Sequence, residues 1–333
     1  MLEWIRAWLS NRKQRVSIRG EKSGWRSVTS GIPQGSVLGP LLFIMFINDI
    51  DNVVQNSLLK FADDTKIFGV IQNKVQHQQL QDDLSNLVDW SKKWQMQFNT
   101  SKCKVLHIGK TNHRYQYVMD NQVLESVKEE RDLGVVISDD LKVSANCQDV
   151  YSKANRILGM INRSITYRSK DILVPLYKSL VRPLVEYCTP AWSPYYQKDK
   201  DLIERLQHRL TRMIPRLKLL PYTDRLRELN LWSLEERRNR ADLIEVYRIC
   251  HGLSGIQRDD LFELVVDSRT RGHSLKLKKF RCKLDLRKYF FSERVVDRWN
   301  LLDDETVKAV SLNSFKNRLN KLRQRKMGFF MDT

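Results

Sequence analysis

A chain of 333 residues, 41% hydrophobic and 29% charged, has globular proportions and the length for about two domains, which excludes wholesale disorder and collagen-like repeats. Its 58 Lys and Arg outnumber 39 Asp and Glu for a net charge of +19, and the surplus is lopsided: residues 1–150 hold 19 basic and 17 acidic side chains, residues 151–333 hold 39 and 22. A half this basic points to a polyanionic partner, usually nucleic acid, against the plainer alternative of a well-solvated surface.

At the N-terminus Leu2, Trp4, Ile5, Trp8 and Leu9 recur at helical spacing. The stretch lacks a signal peptide's apolar core and small-residue cleavage site, so it predicts an ordinary amphipathic helix. It begins with no lead-in, the expectation for a chain cut from something longer. Residues 15–19 and 25–29 alternate like strands around a turn at Gly20–Gly24. Residues 30–40 form a Gly/Pro-rich loop that runs into an apolar stretch, 41–50, with the length of a buried helix. The longest apolar run, Val37–Ile47, is too short for a bilayer and is interrupted by Pro40, so no membrane partner is expected. Residues 58–62 and 65–70 predict short strands with Asp63 and Asp64 at the turn. A helix follows over 76–94, with Leu80, Leu84, Leu87, Val88 and Trp94 on its inner face. Trp90 and Trp94 share that stripe and are expected to fill the core rather than stack on bases. Further strands are predicted at 104–108, 115–119, 123–124 and 133–137, with a tight turn at 120–122.

From about residue 145 the strands give way to helical patterns at 145–165, 170–188, 199–219, 222–230, 234–252, 290–302 and 311–326. In the third, Leu202, Ile203, Leu206, Leu210, Ile214 and Leu217 form one stripe while Arg205, Arg209, Arg212, Arg216 and Lys218 face outward, and Pro215 is expected to kink it near its end. Residues 271–288 hold eight basic side chains against one acid, Asp285. The domain boundary therefore falls between 1–140 and 141–333. The five cysteines, Cys103, Cys147, Cys188, Cys250 and Cys282, are odd in number and far apart. They suit neither a zinc knuckle nor a disulfide framework and point to a reducing compartment, nucleus or cytoplasm. The basic run Lys321–Lys326 reads as an import signal or, more commonly, a solvated helix end.

Two segments carry candidate chemistry. In Phe61–Thr65 two adjacent carboxylates sit at a turn between apolar strands. Like charges held side by side repel, and a divalent metal relieves that repulsion; two Mg²⁺ ions so held can grip the attacking and leaving oxygens of a phosphoryl displacement. A solvated acidic turn is the plainer reading of the same pair. In residues 30–43, Gly31, Gly35 and Gly39 let backbone approach a ligand, Pro33 and Pro40 stiffen the loop, and Gln34 offers an amide. A structural turn before a helix is the alternative, and no Gly-Lys-Ser/Thr follows to make a P-loop.

Together these segments resemble the reverse transcriptases of non-long-terminal-repeat, LINE-type retrotransposons, most of all their jockey-like relatives. Residues 30–50 are similar to the family's substrate-contacting loop and palm helix. Residues 61–67 resemble its metal-binding hairpin, where related enzymes carry Tyr or Phe at the place of Phe61. Residues 89–104 resemble the next helix-to-strand element, and Leu133–Ile137 the strand near the thumb junction that grips the primer end. The resemblance implies an α+β fold: a partial palm, an antiparallel sheet packed on helices, over 1–140, then a helical, basic thumb and C-terminal region over 141–333. It implies RNA-directed DNA polymerisation by two-metal nucleotidyl transfer with Mg²⁺. The implied partners are an RNA template with a DNA primer, or an RNA–DNA hybrid, and deoxynucleoside triphosphates. Asp63 and Asp64 would be the catalytic, metal-binding carboxylates, with Asp63 the direct ligand. Gln34 and Gly35, with Ser36 beside them, would lie against nucleotide and template, and Phe61 would complete the substrate site by packing under the hairpin. Phosphate contacts are expected among Arg205, Arg209, Arg212, Lys276, Lys278, Lys279, Arg281, Lys283, Arg287 and Lys288.

A complete member of that family carries a further metal-binding aspartate on a strand before the loop, together with the fingers. Ahead of Ser30 the only acids are Glu3 and Glu21, in a helix and a turn, and nothing resembles an endonuclease domain. The expectation is a fragment that polymerises barely or not at all by itself, since losing one charged ligand from such a clamp costs about 10²–10⁴ in rate. Asp49 and Asp51 are poor substitutes, because Asp49 ends the palm helix where an acid commonly meets a turn. A non-catalytic RNA- or DNA-binding remnant is the alternative. A helical protein-interaction scaffold is a third reading, but it leaves residues 271–288 unexplained.

Overall fold

The computed structural model describes residues 1–265 and 272–332, so Arg271 of the basic segment lies outside the described residues. The chain divides into two compact units, Met1–Val127 and Lys128–Thr333.

The first unit is organised by α3, Lys74–Trp94, after α1, Leu2–Leu9, and α2, Leu38–Phe46. Asn73 starts α3 by accepting a hydrogen bond from the Gln76 N–H, and Gln95 ends it in the left-handed region at φ +55°. Leu84, Leu87 and Trp90 bury themselves among Ile47, Ile50, Tyr117, Met119 and Leu124. Trp94, expected on the inner face, is 39% exposed. It stands at the last residue of the helix and meets Phe46 edge-on at 5.7 Å. The apolar helix at 41–50 is also less buried than expected. Phe43 and Ile47 reach the core, but Leu41, Ile44 and Met45 are more than half exposed, because a helix apolar on all sides can turn only one face to a single small core.

The strands are short and form six separate two-stranded ladders among the described residues, five antiparallel and one parallel. This replaces the single antiparallel sheet expected from the sequence. Left-handed residues close the antiparallel turns locally: Arg19 and Gly20, Ala62, Asp120 and Asn121, Leu133 and Gly134. The first of these also moves the early turn from Gly20–Gly24 to Arg19–Gly20, between Ser17–Ile18 and Glu21–Lys22. In the first unit β1, Ser57–Phe61, pairs with β2, Asp64–Phe68, and β3, Lys104–Leu106, pairs in parallel with β4, Glu125–Val127.

The second unit opens with β5, Glu129–Asp132, paired with β6, Val135–Ser138. Leu133 and Gly134, expected at the start of a strand, instead form the turn at φ +44° and +85°. This hairpin falls with the helices in the second compact unit, which begins at Lys128. Next come α4, Ser144–Ser164, and α5, Gln197–Arg212. Ser144 donates to Asp199 at 2.5 Å near the start of both helices, and Arg209 donates to Asn155 further along, so the two run in the same direction. Ala154, Leu158 and Ile161 share a core with Ile203, Leu206 and Leu210. The helix expected over 170–188 is broken into Lys170–Leu176, a wider π-helical turn Tyr177–Val181, and Arg182–Glu186, since Pro175 and Pro183 each remove a backbone donor. A capping box, Ser233 with Glu236, starts α6, Leu234–Cys250. α6 and α7, Leu312–Arg325, close a second core around Tyr247, Trp299 and Phe315. No described helix is long and apolar enough to cross a membrane.

Candidate metal-binding turn and nucleic-acid face

The register of β1 and β2 opposes Leu58 to Ile67 and Phe61 to Asp64. Leu58 and Ile67 pack inward with Phe43, while Leu59, Phe61 and Phe68 face out. Ala62 and Asp63 make the connection, Asp64 begins the return strand, and both carboxylates are exposed. Ala62 adopts φ +53°, which costs an L-residue about 1–2 kcal/mol, so the surroundings must hold the turn in place. Phe61 is 64% exposed on the outward face, not packed beneath the hairpin, because its partner Asp64 lies on the same outer face.

Two contacts fix this hairpin. The Lys60 ammonium reaches Asp51 at 2.7 Å and donates to the carbonyls of Ile47 at 3.4 Å and Asn48 at 3.2 Å. At the other end, buried Asp83 of α3 accepts from the backbone N–H of Gln55 at 2.8 Å and of Asn56 at 2.9 Å, and from the Asn56 amide at 2.8 Å. The sequence reading missed Asp83; an acid among the apolar residues of a helix stripe was its only signal. Asp49 and Asp51 are both occupied, Asp49 by the Trp90 indole at 3.0 Å and Asp51 by Lys60. A cavity of about 660 Å³ lies against Asp49, Asp89, Trp90 and Trp94, and its lining includes neither Asp63 nor Asp64.

The glycine-rich loop is tied internally. The Ser36 hydroxyl donates to the Pro33 carbonyl at 2.7 Å and accepts from the Gly39 N–H at 3.0 Å, which caps the entry to α2. Gly39 is required by close approach: a Cβ there would lie 2.9 Å from Ser36 Oγ and 3.1 Å from the Pro33 carbonyl oxygen. Gly35, at φ +80°, faces open space, and Gln34 beside it is exposed. Arg12 holds the other end of the loop through the carbonyls of Ser30 and Gly31.

Among the described residues, no third His, Cys, Asp or Glu joins Asp63 and Asp64 in a group able to hold a metal ion. Two adjacent carboxylates suit one Mg²⁺ that keeps most of its water. They do not supply the donor set of a two-metal clamp.

In the second unit, Arg205, Arg209 and Arg212 all lie exposed along α5. Arg205 and Arg212 have no acidic partner among the described residues, and Arg209 donates to Asn155. The segment 276–288 differs. There Lys278 pairs with Glu263, Lys279 with Asp297 and Arg287 with Glu293. Lys288 lies over the Tyr289 ring, and Arg281 and Lys283 are exposed.

Residues 1–160 match the family described as Reverse transcriptase (RNA-dependent DNA polymerase). The chain is 24% identical over 223 residues to the RNA-directed DNA polymerase from mobile element jockey of Drosophila melanogaster, covering 63% of this chain and 24% of the relative. It is 24% identical over 229 residues to the protein of that name from Drosophila funebris, covering 64% and 25%. With the probable RNA-directed DNA polymerase from transposon BS of Drosophila melanogaster it shares 26% identity over 260 residues, covering 71% and 28%. The chain thus spans about a quarter of the length of these curated relatives. Residues 1–160 are thus similar to the reverse-transcriptase family, and the chain resembles part of the RNA-directed DNA polymerases of mobile elements.

Proposed function

We propose that this chain is the C-terminal part of a retrotransposon reverse transcriptase: a partial palm in the first unit, a thumb and basic C-terminal region in the second. In this reading it holds an RNA template with a DNA primer, or an RNA–DNA hybrid. Asp63 and Asp64 are the palm carboxylates that would bind Mg²⁺, which supplies charge stabilisation for nucleotidyl transfer from deoxynucleoside triphosphates when a complete site is present. Gln34, Gly35 and Ser36 would shape the nucleotide side of that site. The observation that carries the reading is the acidic two-residue connection at Ala62–Asp63, locked by Asp83 and Lys60, within the residues that match the polymerase family. Five cysteines spread far apart along the chain and unbridged fit action in a reducing compartment, nucleus or cytoplasm.

The exposure of both carboxylates and their incomplete donor set favour a chain that binds nucleic acid but does not copy it alone. The test is primer extension with the purified chain, Mg²⁺ and deoxynucleotides on an RNA template. The expected result is salt-sensitive binding of the template–primer with little or no extension, unchanged by Asp63→Asn or Asp64→Asn. Clear extension abolished by Asp63→Ala would overturn the inactive reading. Absence of any binding would overturn the nucleic-acid reading itself.

A further inference from the structure

Asn155, Gly159 and Arg163 recur at every fourth position of α4 and so share one face of it. That face meets the arginine row of α5. A Cβ placed on Gly159 would lie 3.8 Å from Arg163 Nη1 and 3.9 Å from Arg209 Nη2. Two guanidiniums from different helices therefore converge over a residue that has no side chain. Asn155 Oδ1 accepts from Arg209 Nη1 and steadies it. Among the described residues neither arginine has an acidic partner within ion-pair distance.

Both arginines stand in the last turn of their helices, where the C-terminal dipole favours a cation. The dipole accounts for the sign of each charge. It does not account for their meeting over Gly159, since like charges drawn together without an acid repel. A planar guanidinium presents a fork of donors that matches a phosphate, and two forks over a bare helix surface leave room for one.

We propose that Arg163 and Arg209, above Gly159, form a seat for one backbone phosphate of a nucleic acid, and that the nucleic-acid track follows the α4–α5 face rather than the segment 276–288. This rests on the reading that the second unit binds nucleic acid. The carboxylates already paired with Lys278, Lys279 and Arg287 reduce that segment's pull on phosphate. Arg163 and Arg209 face no such carboxylate among the described residues.

The test is fluorescence anisotropy of the whole chain on a labelled RNA–DNA hybrid across a salt series. The variants are Arg163→Gln with Arg209→Gln, Gly159→Glu, and Lys278→Gln with Lys279→Gln, each checked for an unchanged melting curve. Losing that one phosphate contact lowers the log–log salt slope by about 0.9 and weakens binding roughly 5- to 10-fold at about 0.1 M salt. The arginine double variant should show this, Gly159→Glu should weaken binding by setting an acid between the guanidiniums, and the lysine pair should change the slope by less than half as much. A double variant that matches the parent in affinity and slope overturns the seat. An equal or larger loss from the lysine pair overturns the track. A parent chain without salt-dependent binding sinks the underlying nucleic-acid reading, a result distinct from the other two.

Discussion

Asp83 and Asn56 form the root of the acidic hairpin: one carboxylate oxygen of Asp83 accepts from both the backbone N–H and the side-chain amide of Asn56, at 2.9 and 2.8 Å. The other oxygen takes the N–H of Gln55. Asn56 in turn lies against Gly69, one residue past the end of β2, where there is no space for a side chain. A single carboxylate on α3 thus sets where β1 begins, and the β1–β2 register sets where Asp63 and Asp64 emerge.

Replacing that carboxylate tests the dependence. Asp83→Ala removes the acceptor of three N–H groups at the half-buried root of β1 and should destabilise the first unit by about 1–3 kcal/mol. Asp83→Asn, which keeps one acceptor oxygen, should cost roughly half as much. Denaturant midpoints measure the loss, and amide exchange over residues 57–68 should quicken before the rest of the unit.

The loop before α2 offers a second test. Gly39→Ala forces a Cβ against Ser36 Oγ and the Pro33 carbonyl, and the backbone oxygen cannot move aside cheaply. A loss of about 1–3 kcal/mol is expected. Ser36→Ala, which removes the cap without crowding, should cost about 1 kcal/mol. Thermal melts of the two variants should rank in that order.

In the second unit the fully buried Gln207 accepts from the Tyr177 hydroxyl at 2.9 Å and donates to the Tyr222 hydroxyl at 3.1 Å and the Trp232 carbonyl at 2.9 Å. Gln207→Leu keeps most of the volume but strands the Tyr177 hydroxyl and the Trp232 carbonyl, while the Tyr222 hydroxyl keeps Glu204, at a cost of about 2–3 kcal/mol. An unchanged midpoint in urea would show that they find other partners.

Three histidines shape the acid response. Burial lowers the proton affinity of His107, assisted by Arg114 and opposed by Asn112. Burial likewise lowers His208, with Arg225 and Arg212, and His273, where a bond to the Trp299 carbonyl opposes it. Each is held neutral by the fold, so its contribution is complete above the ordinary histidine value near pH 6.5 and is lost as pH falls below it. Melting temperatures should therefore drop from pH 7.5 to pH 5.5, and His107→Gln should flatten part of that drop. At lower pH Asp332 takes over. Burial pushes it up, but bonds and charge from Lys200 and Arg298 outweigh that and hold it at about 2. Its contribution is present above the ordinary carboxylate range and is lost as pH falls toward about 2. With two-fifths of the side chain exposed, screening limits it to ~1 kcal/mol.

Local signals were legible where one physical rule dominates. The stripes of 76–94, 145–165 and 234–252 predicted helices to within about two residues at most ends. The apolar alternation around Asp63 and Asp64 predicted their hairpin, whereas the helix expected over 199–219 already ends at Arg212, and Pro215 opens a separate 3₁₀ turn. What failed was non-local. The partners of short strands, the parallel pairing of 104–106 with 125–127 and the exposure of Trp94 all depend on elements distant in sequence.

The same division runs through the candidate site. Sequence alone determined that two acids occupy a turn between apolar strands, that a Gly/Pro loop precedes a short helix, and that the basic surplus lies in the second half, because these are properties of neighbouring residues. Only the tertiary structure decided that Asp83 anchors the hairpin root, that Ser36 is spent inside its own loop, and that Lys278, Lys279 and Arg287 are already paired with carboxylates. Only it brought Arg163 and Arg209 together over Gly159. Coulomb attraction and hydrogen bonding act over a few ångströms of space, so residues far apart in the chain become partners only when packing brings their helices side by side.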